Sequence, residues 1–373
     1  MVYCQISALC GKLFPERKIF LRTIGRLLLS AIFLVLTGLL VLAARYAPQL
    51  VFAFYPAFSR WALGAISAVT SLLPVAVWEI LAGLAILWLL YTFVCVFTRH
   101  RSILCWLAGV VLGVCVGVFV FVALWGLNHF GPSAGEQLNL SVREYTKEEL
   151  ISATKYYAAQ VNDLSSSVSR DSRNLAHFES FDALSKKAGA GYDQLAARYA
   201  LFTGSHDPVK KLATWRMFSQ FGITGIFVCF TGEACVNPDT YEVWLPFTMC
   251  HELAHRQTVA AEDDANFCAY LACMENESAE FRYSGAIAAY VYCHNALYKA
   301  DKAAASEIWN SLAPGVSADI QAANTHYAQY EGKVQDAATK VNDTYLKAFS
   351  EEAGVQSYGE AADLLIAWYL QQA

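Results

Sequence analysis

Charged side chains are absent from three long runs of this chain and frequent in the rest. Leu27–Ala44, Ile80–Thr98 and Ile103–Leu127 carry no Asp, Glu, Lys or Arg. Each is long enough, at about 1.5 Å per helical residue, to cross roughly 30 Å of hydrocarbon. The pattern predicts three transmembrane helices. A fourth uncharged run, Trp61–Trp78, is interrupted by Ser67, Thr70, Ser71 and Pro74. Pro74 removes a backbone donor that lipid cannot replace, so this run is expected to be an interfacial or partly embedded hairpin.

Beyond Leu127 the pattern changes to helical periodicity. Thr146 with Glu149 forms a capping-box start for a helix reaching about Val168. Apolar residues then recur at helical spacing over about 180–203, 244–257, 262–275, 278–300, 316–349 and 359–371, with Gly and Pro mainly between segments. Phe221–Phe230, with Gly222, Gly225 and the β-branched Ile223, Thr224, Ile226 and Val228, reads as one short strand or hairpin. No internal repeat, low-complexity tract or phosphate-binding glycine loop is present. The expected architecture is mainly α: a membrane domain over residues 1–127, then a mostly helical domain over 128–373 with a short β element.

Composition sharpens the division. The 373 residues are 56% apolar and 16% charged, which excludes a disordered chain and a small disulfide scaffold. The net charge of −5 hides a split: nine Lys and Arg against two acids in 1–127, and 18 against 30 in 128–373. The acidic half lacks the clustered cations that nucleic-acid phosphates require. Lys12, Arg17, Lys18, Arg22 and Arg26 put the N-terminus in the cytoplasm under the positive-inside rule. With three spans, Arg99 and Arg101 fall on that side too, leaving Arg45 and Arg60 outside. Residues 128–373 are therefore expected on the extracytoplasmic face of a multi-pass plasma-membrane protein. The first apolar run lacks a clean small-residue cleavage site and reads as an uncleaved signal anchor. Of eleven cysteines, Cys229, Cys235, Cys250, Cys268, Cys273 and Cys293 lie in the outer half. They read either as disulfide partners in an oxidising compartment or as small buried apolar residues.

The sharpest chemical signal is His251-Glu252-Leu253-Ala254-His255. Two imidazoles four residues apart share a helix face and can reach one Zn²⁺, with Glu252 beside them as general base for a water that the metal activates. Pro246 suits the first turn of such a helix, and Phe247, Met249, Leu253 and Ala254 supply an apolar face. Catalytic zinc needs a third protein ligand. On an unbroken helix Glu262 would sit about 10 Å beyond His255 along the axis, so the chain must turn before it. Thr258 and Val259 continue a helix poorly, and Glu262-Asp263-Asp264-Ala265-Asn266 starts a new one with acids in its first turn. Folding back would bring Glu262 to the metal and leave Asn266, one turn on, for a supporting hydrogen bond. Glu275, Glu277 and Glu280 compete for the third position. Arg282, Tyr283 or His294 could donate to an oxyanion, and Tyr283 joins Glu252 in the expected catalytic set. Cys250 points away from the metal face, and the aromatic runs Phe227–Phe230 and Tyr290–Tyr292 read as core.

These residues resemble a known family. Gly222-Ile223-Thr224-Gly225 through Thr231-Gly232-Glu233-Ala234-Cys235-Val236-Asn237, Leu245-Pro246-Phe247-Thr248, His251–His255, Glu262–Phe267 and Phe281-Arg282-Tyr283-Ser284 are similar to the bacterial domain-of-unknown-function family 3810 (DUF3810). So are Val341–Lys347, Ser357-Tyr358-Gly359 and the layout of membrane helices before an outer domain. The resemblance covers nearly the whole chain. It implies a zinc-peptidase-like protein in which His251, His255 and Glu262 hold the metal, Glu252 is the base, and Glu233 and Asn237 lie near the site. It also implies a glycine near position 258, where this chain has Thr258.

The function expected from the residues is a membrane-anchored zinc metallopeptidase with a zincin-like outer domain. It would act on a peptide or envelope protein, aligned by backbone pairing with a short strand near Phe227. The alternative is a non-catalytic, zinc-stabilised domain acting as a sensor or scaffold, its open position closed by Cys250 or His294.

Overall fold

The computed structural model describes residues 2–348 and 361–372, and is mainly α with one small three-stranded sheet. By packing, the chain divides into two units: Met1–Val51 with Glu79–Leu127, and Phe52–Trp78 with Asn128–Ala373.

In chain order the first helices are α1 (Val2–Tyr46), α2 (Pro48–Phe52), α3 (Tyr55–Thr70), α4 (Val77–Thr98) and α5 (Ile103–Leu124). Arg17–Tyr46 of α1, α4 and α5 are long and apolar enough to cross a membrane, as expected of a membrane protein. Arg26 of α1 donates to the Cys105 carbonyl near the start of α5. Further along both helices the Phe33 and Phe119 rings meet with centroids 5.3 Å apart. These two contacts make α1 and α5 parallel. α4 and α5 meet near the loop that joins them: Ser102 caps α5, and Trp106 Nε1 donates to Thr92 Oγ1 at 3.1 Å.

The second unit adds α6 (Ala134–Gln137), α7 (Lys147–Leu164), α8 (Phe181–Lys187), α9 (Ala190–Ala196), β1 (Lys210–Lys211), α10 (Trp215–Gln220), β2 (Gly225–Val228) and β3 (Glu233–Val236). It continues with α11 (Leu245–Arg256), α12 (Glu262–Met274), α13 (Ala279–Ala300), α14 (Lys302–Trp309), α15 (Pro314–Ala328), α16 (Lys333–Ala348) and α17 (Ala361–Gln372). α11, α12 and α13 form the centre of the core, with α7 and α17 packed on them. The capping box of Thr146 and Glu149 opens α7 with both of its bonds made. The helix expected over 180–203 is broken into α8 and α9, and the one over 316–349 into α15 and α16 at Gly332. α14 was not anticipated; its cap is Asp301, whose Oδ1 accepts from the amides of Ala303 and Ala304. The start of the last expected helix at 359 and the run Ser357-Tyr358-Gly359 lie outside the described residues. In the sheet, β3 is central and buried, parallel to β1 and antiparallel to the half-buried edge strand β2. Among the described residues nine cysteines from Cys95 to Cys293 are free thiols, and the six of the second unit are all buried.

Buried polar contacts explain why the segment Trp61–Trp78 packs with this unit. Ser67 donates to Asp207 Oδ2 at 2.8 Å and Thr70 to the Thr231 carbonyl at 3.0 Å. Lys210 is buried and donates to the carbonyls of Thr70 and Val75 and, at 2.6 Å, to Glu233. The two Glu233 oxygens also accept from the amides of Val77 and Trp78, at 2.8 Å each. The β2–β3 turn meets α3 at Gly232, which has a left-handed φ of +62°. A Cβ there would sit 2.7 Å from the Leu63 carbonyl oxygen. Gly232→Ala therefore combines a backbone penalty of about 1–2 kcal/mol with a steric clash, and a lowered melting temperature of the full chain in detergent is the expected result.

Candidate metal centre

α11 starts with Pro246 in its first turn and buries nearly its whole circumference. Its spacing places the rings of His251 and His255 edge to face, centroids 4.7 Å apart and planes at 90°. Their Nε2 atoms are 3.1 Å apart. His255 Nδ1 lies 2.8 Å from the Val259 carbonyl oxygen. A carbonyl can only accept, so Nδ1 carries a proton, and Nε2 is the atom turned towards His251 and Glu262.

The chain then reverses through a Schellman turn. Val259 N–H bonds the Ala254 carbonyl at 3.2 Å and Thr258 N–H the His255 carbonyl at 3.0 Å. Thr258 occupies the position where glycine is usual, at φ +75°. A β-branched residue in the left-handed region is strained by about 1–2 kcal/mol. Against this, Thr258 Oγ1 accepts from Arg60 Nη1 of α3 at 3.1 Å, and burial lowers the pKa of that guanidinium.

The turn delivers Glu262 as the first residue of α12, whose first turn holds Glu262, Asp263 and Asp264. Three acids at a helix N-terminus complement the helix dipole. Glu262 Oε2 is 3.1 Å from His251 Nε2 and 3.7 Å from His255 Nε2. Among the described residues this is the group that could share a metal ion, with ligand atoms within 4.8 Å of one another. Tetrahedral coordination with bonds of 2.0–2.2 Å separates neighbouring ligand atoms by about 3.3 Å, so the observed spacings fit a zinc-sized ion. Satisfaction of polar atoms agrees. His251 Nδ1, Glu252 Oε2 and Asn266 Nδ2 are buried without hydrogen-bond partners, and Glu262 Oε2 faces both rings without an aligned donor.

Electrostatics follow from this crowding. Burial raises the Glu252 pKa to about 7, with His251 and His255 pulling down and Glu262 pushing up. Burial opposes charge on His255, but Glu262 overrides it and carries the pKa up to about 9. Burial likewise opposes ionisation of Glu262, yet the two rings hold it well below the ordinary carboxylate range.

The other expected residues are placed as follows. Asn266 is buried one turn after Glu262. The Tyr283 hydroxyl donates to Asp319 at 2.6 Å and accepts from Arg170 at 3.1 Å, a network that commits it away from the histidines. Glu233 is spent on Lys210 and two amides, and the Asn237 amide donates to Ser219 and the Ile223 carbonyl within its own loop. Glu275 pairs with Arg198 at 2.5 Å, Glu280 accepts from the Glu179 amide at 2.7 Å, and Glu277 is exposed. His294 stacks among Tyr290, Tyr298 and Trp309. Two residues gained a role that the sequence reading did not assign. A Cβ on Gly225 would sit 2.3 Å from Glu252 Oε1, so the β2 backbone presses on that carboxyl; an isolated glycine in a strand is the signal for such an approach. Tyr292, read as core, packs on Phe247, and burial with the Glu262 carboxylate pushes its phenol pKa up.

The fold and site thus define a mainly α membrane protein with a three-residue candidate metal centre. The model of a family described as a protein of unknown function, DUF3810, matches residues 54–366, and the chain belongs to that family. No curated protein and no solved structure matches it.

Two outcomes follow. Elemental analysis of the full chain should find about one transition-metal ion per chain, lost in a His251→Ala, His255→Ala double variant and in Glu262→Ala. Calorimetric titration of the metal-free protein at pH 7 in buffers of different ionisation enthalpy should show net proton release, since His255 is protonated there until a metal displaces its proton. At the turn, Thr258→Gly exchanges strain for a lost bond and should leave unfolding free energy within about 1 kcal/mol of wild type, whereas Thr258→Val keeps the strain, strands Arg60 and should cost about 1–3 kcal/mol.

Proposed function

We propose that this protein is a membrane-anchored zinc metallopeptidase, acting outside the cytoplasm on a peptide or envelope-protein substrate. The observation that carries the reading is Glu252: a buried carboxyl with one oxygen unpartnered, beside a ligand set of three. Three protein ligands leave a position open, as catalytic sites do. Bound zinc would supply Lewis-acid polarisation of the scissile carbonyl and of water. Glu252, with a pKa near neutrality, can take the proton of the attacking water and pass it to the leaving amine. The strand that would align an extended peptide is β2, which Gly225 brings against Glu252.

The non-catalytic alternative needs a fourth ligand. Cys250 is buried with its sulfur 3.8 Å from the Ala188 carbonyl, and His294 sits among aromatic rings, so neither joins the group. The extracytoplasmic side is supported by the basic N-terminal residues together with three candidate spans. The acidic outer half supports a substrate other than nucleic acid.

The test is peptide-library hydrolysis by the full chain in bilayers, wild type beside Glu252→Gln. The variant should keep its zinc and lose about 10²–10⁴-fold in rate. Equal hydrolysis by both, or none by zinc-loaded wild type, would refute the peptidase.

A further inference from the structure

α3 is apolar on both sides. Its inner side buries Tyr55, Ala62 and Leu63, with the hydroxyls of Ser59 and Ser67, inside the second unit. Its outer side and the turn after it carry Phe54, Phe58, Trp61, Ala65, Val69 and Leu72, spaced three or four apart as one helical stripe, and all six are exposed. Trp61 is 70% exposed and Leu72 80%. From residue 53 to 78 the sole charged side chain is Arg60, and it turns inward to Thr258. A contiguous apolar stripe of this kind marks a contact surface.

What covers it follows from the chain on either side. α3 is joined through α2 to α1 and through a short turn to α4, both apolar enough to cross a membrane. With α1 and α4 as consecutive crossings, the chain leaves and re-enters the bilayer on one side, and α3 belongs to the segment that joins those points. Three of the six stripe residues are aromatic, the type enriched where hydrocarbon meets headgroups. No charge on the stripe itself opposes insertion.

We propose that α3 lies in the plane of the bilayer surface with the stripe from Phe54 to Leu72 in lipid, seating the metal-bearing unit on the membrane boundary. The link to the metal centre is short. Arg60 holds Thr258, and the Thr258 amide bonds the carbonyl of His255 at 3.0 Å. A helix is about 10–12 Å across, so the triad stands roughly 15–20 Å from the lipid-facing stripe. This placement does not depend on the peptidase reading.

Trp61 reports on it directly. The chain has nine tryptophans, so its emission is read as the difference between wild type and Trp61→Phe, with the full chain in phosphatidylcholine–phosphatidylglycerol bilayers. The Trp61 component should be blue-shifted, lose most of its intensity when brominated phosphatidylcholine replaces part of the lipid, and respond little to aqueous iodide. Quenching by iodide without quenching by bromine would put the stripe in water. Protection from both would mean that a second copy or another protein covers it. Either result overturns the proposal, whether or not the protein hydrolyses peptides.

Discussion

Three possible metal-ligand atoms converge at one point in the second unit, and that crowding is the constraint on which the site depends. Two imidazole nitrogens 3.1 Å apart and a carboxylate oxygen 3.1 Å from one of them need a proton or a metal ion between them. The protein invests its local geometry in keeping them there. The Val259 carbonyl accepts from His255 Nδ1 and so orients the ring with Nε2 towards Glu262 and His251. The Schellman turn sends α12 back against α11, and the α12 dipole favours an ionised Glu262 at the helix start. Each device is modest alone; together they bring three possible ligand atoms within 4.8 Å of one another.

The end of α11 is also where the second unit is tied together. Arg256, fully buried, donates to the carbonyls of Gly232 and Asp207, and burial lowers its pKa only to about 10, so it stays charged at neutral pH. Gln257 donates to the Ser205 carbonyl and accepts from the Gly204 amide. Thr258 accepts from Arg60. Three consecutive residues thus fasten the sheet turn, the loop before β1 and α3 directly behind the ligands. Breaking any one strands a buried donor or acceptor, which costs more than the bond itself contributes. That asymmetry explains how a threonine persists in a left-handed position.

What could be read from the sequence was what is local. The His251–His255 spacing sets its own geometry on any helix, and α11, α12 and α13 start and stop within a residue or two of their expected limits. Glu262 was favoured among four acids because the chain had to turn after His255, and the turn occurs at the residues that continue a helix poorly. Tertiary pairings were not legible. Lys210 and Glu233 are far apart in sequence, so nothing local announced that they would anchor the Trp61–Trp78 segment to the second unit. Tyr283 looked like a donor for the site by its position on α13, but Asp319 on α15 claims its hydroxyl. The β2 partner at Glu233–Val236 lay just past the run read as strand, hidden by the turn at Gly232.

Glu252 bears most directly on what such a centre is for. Stability alone would favour an apolar residue there, since a buried carboxyl without a partner for one oxygen is destabilising by about 1–3 kcal/mol. The ligands do not need it, because His255 is oriented by a backbone carbonyl and Glu262 by its helix start. The strand beside it gives up a side chain at Gly225 to accommodate it, losing the packing and stiffness that a β-branched residue would bring. On the proposed peptidase reading, a carboxyl that costs stability, sits against a glycine of the strand and lies beside an incomplete ligand set is there for proton transfer. Its pKa near 7 is where a group that must both take and release a proton at neutral pH works best.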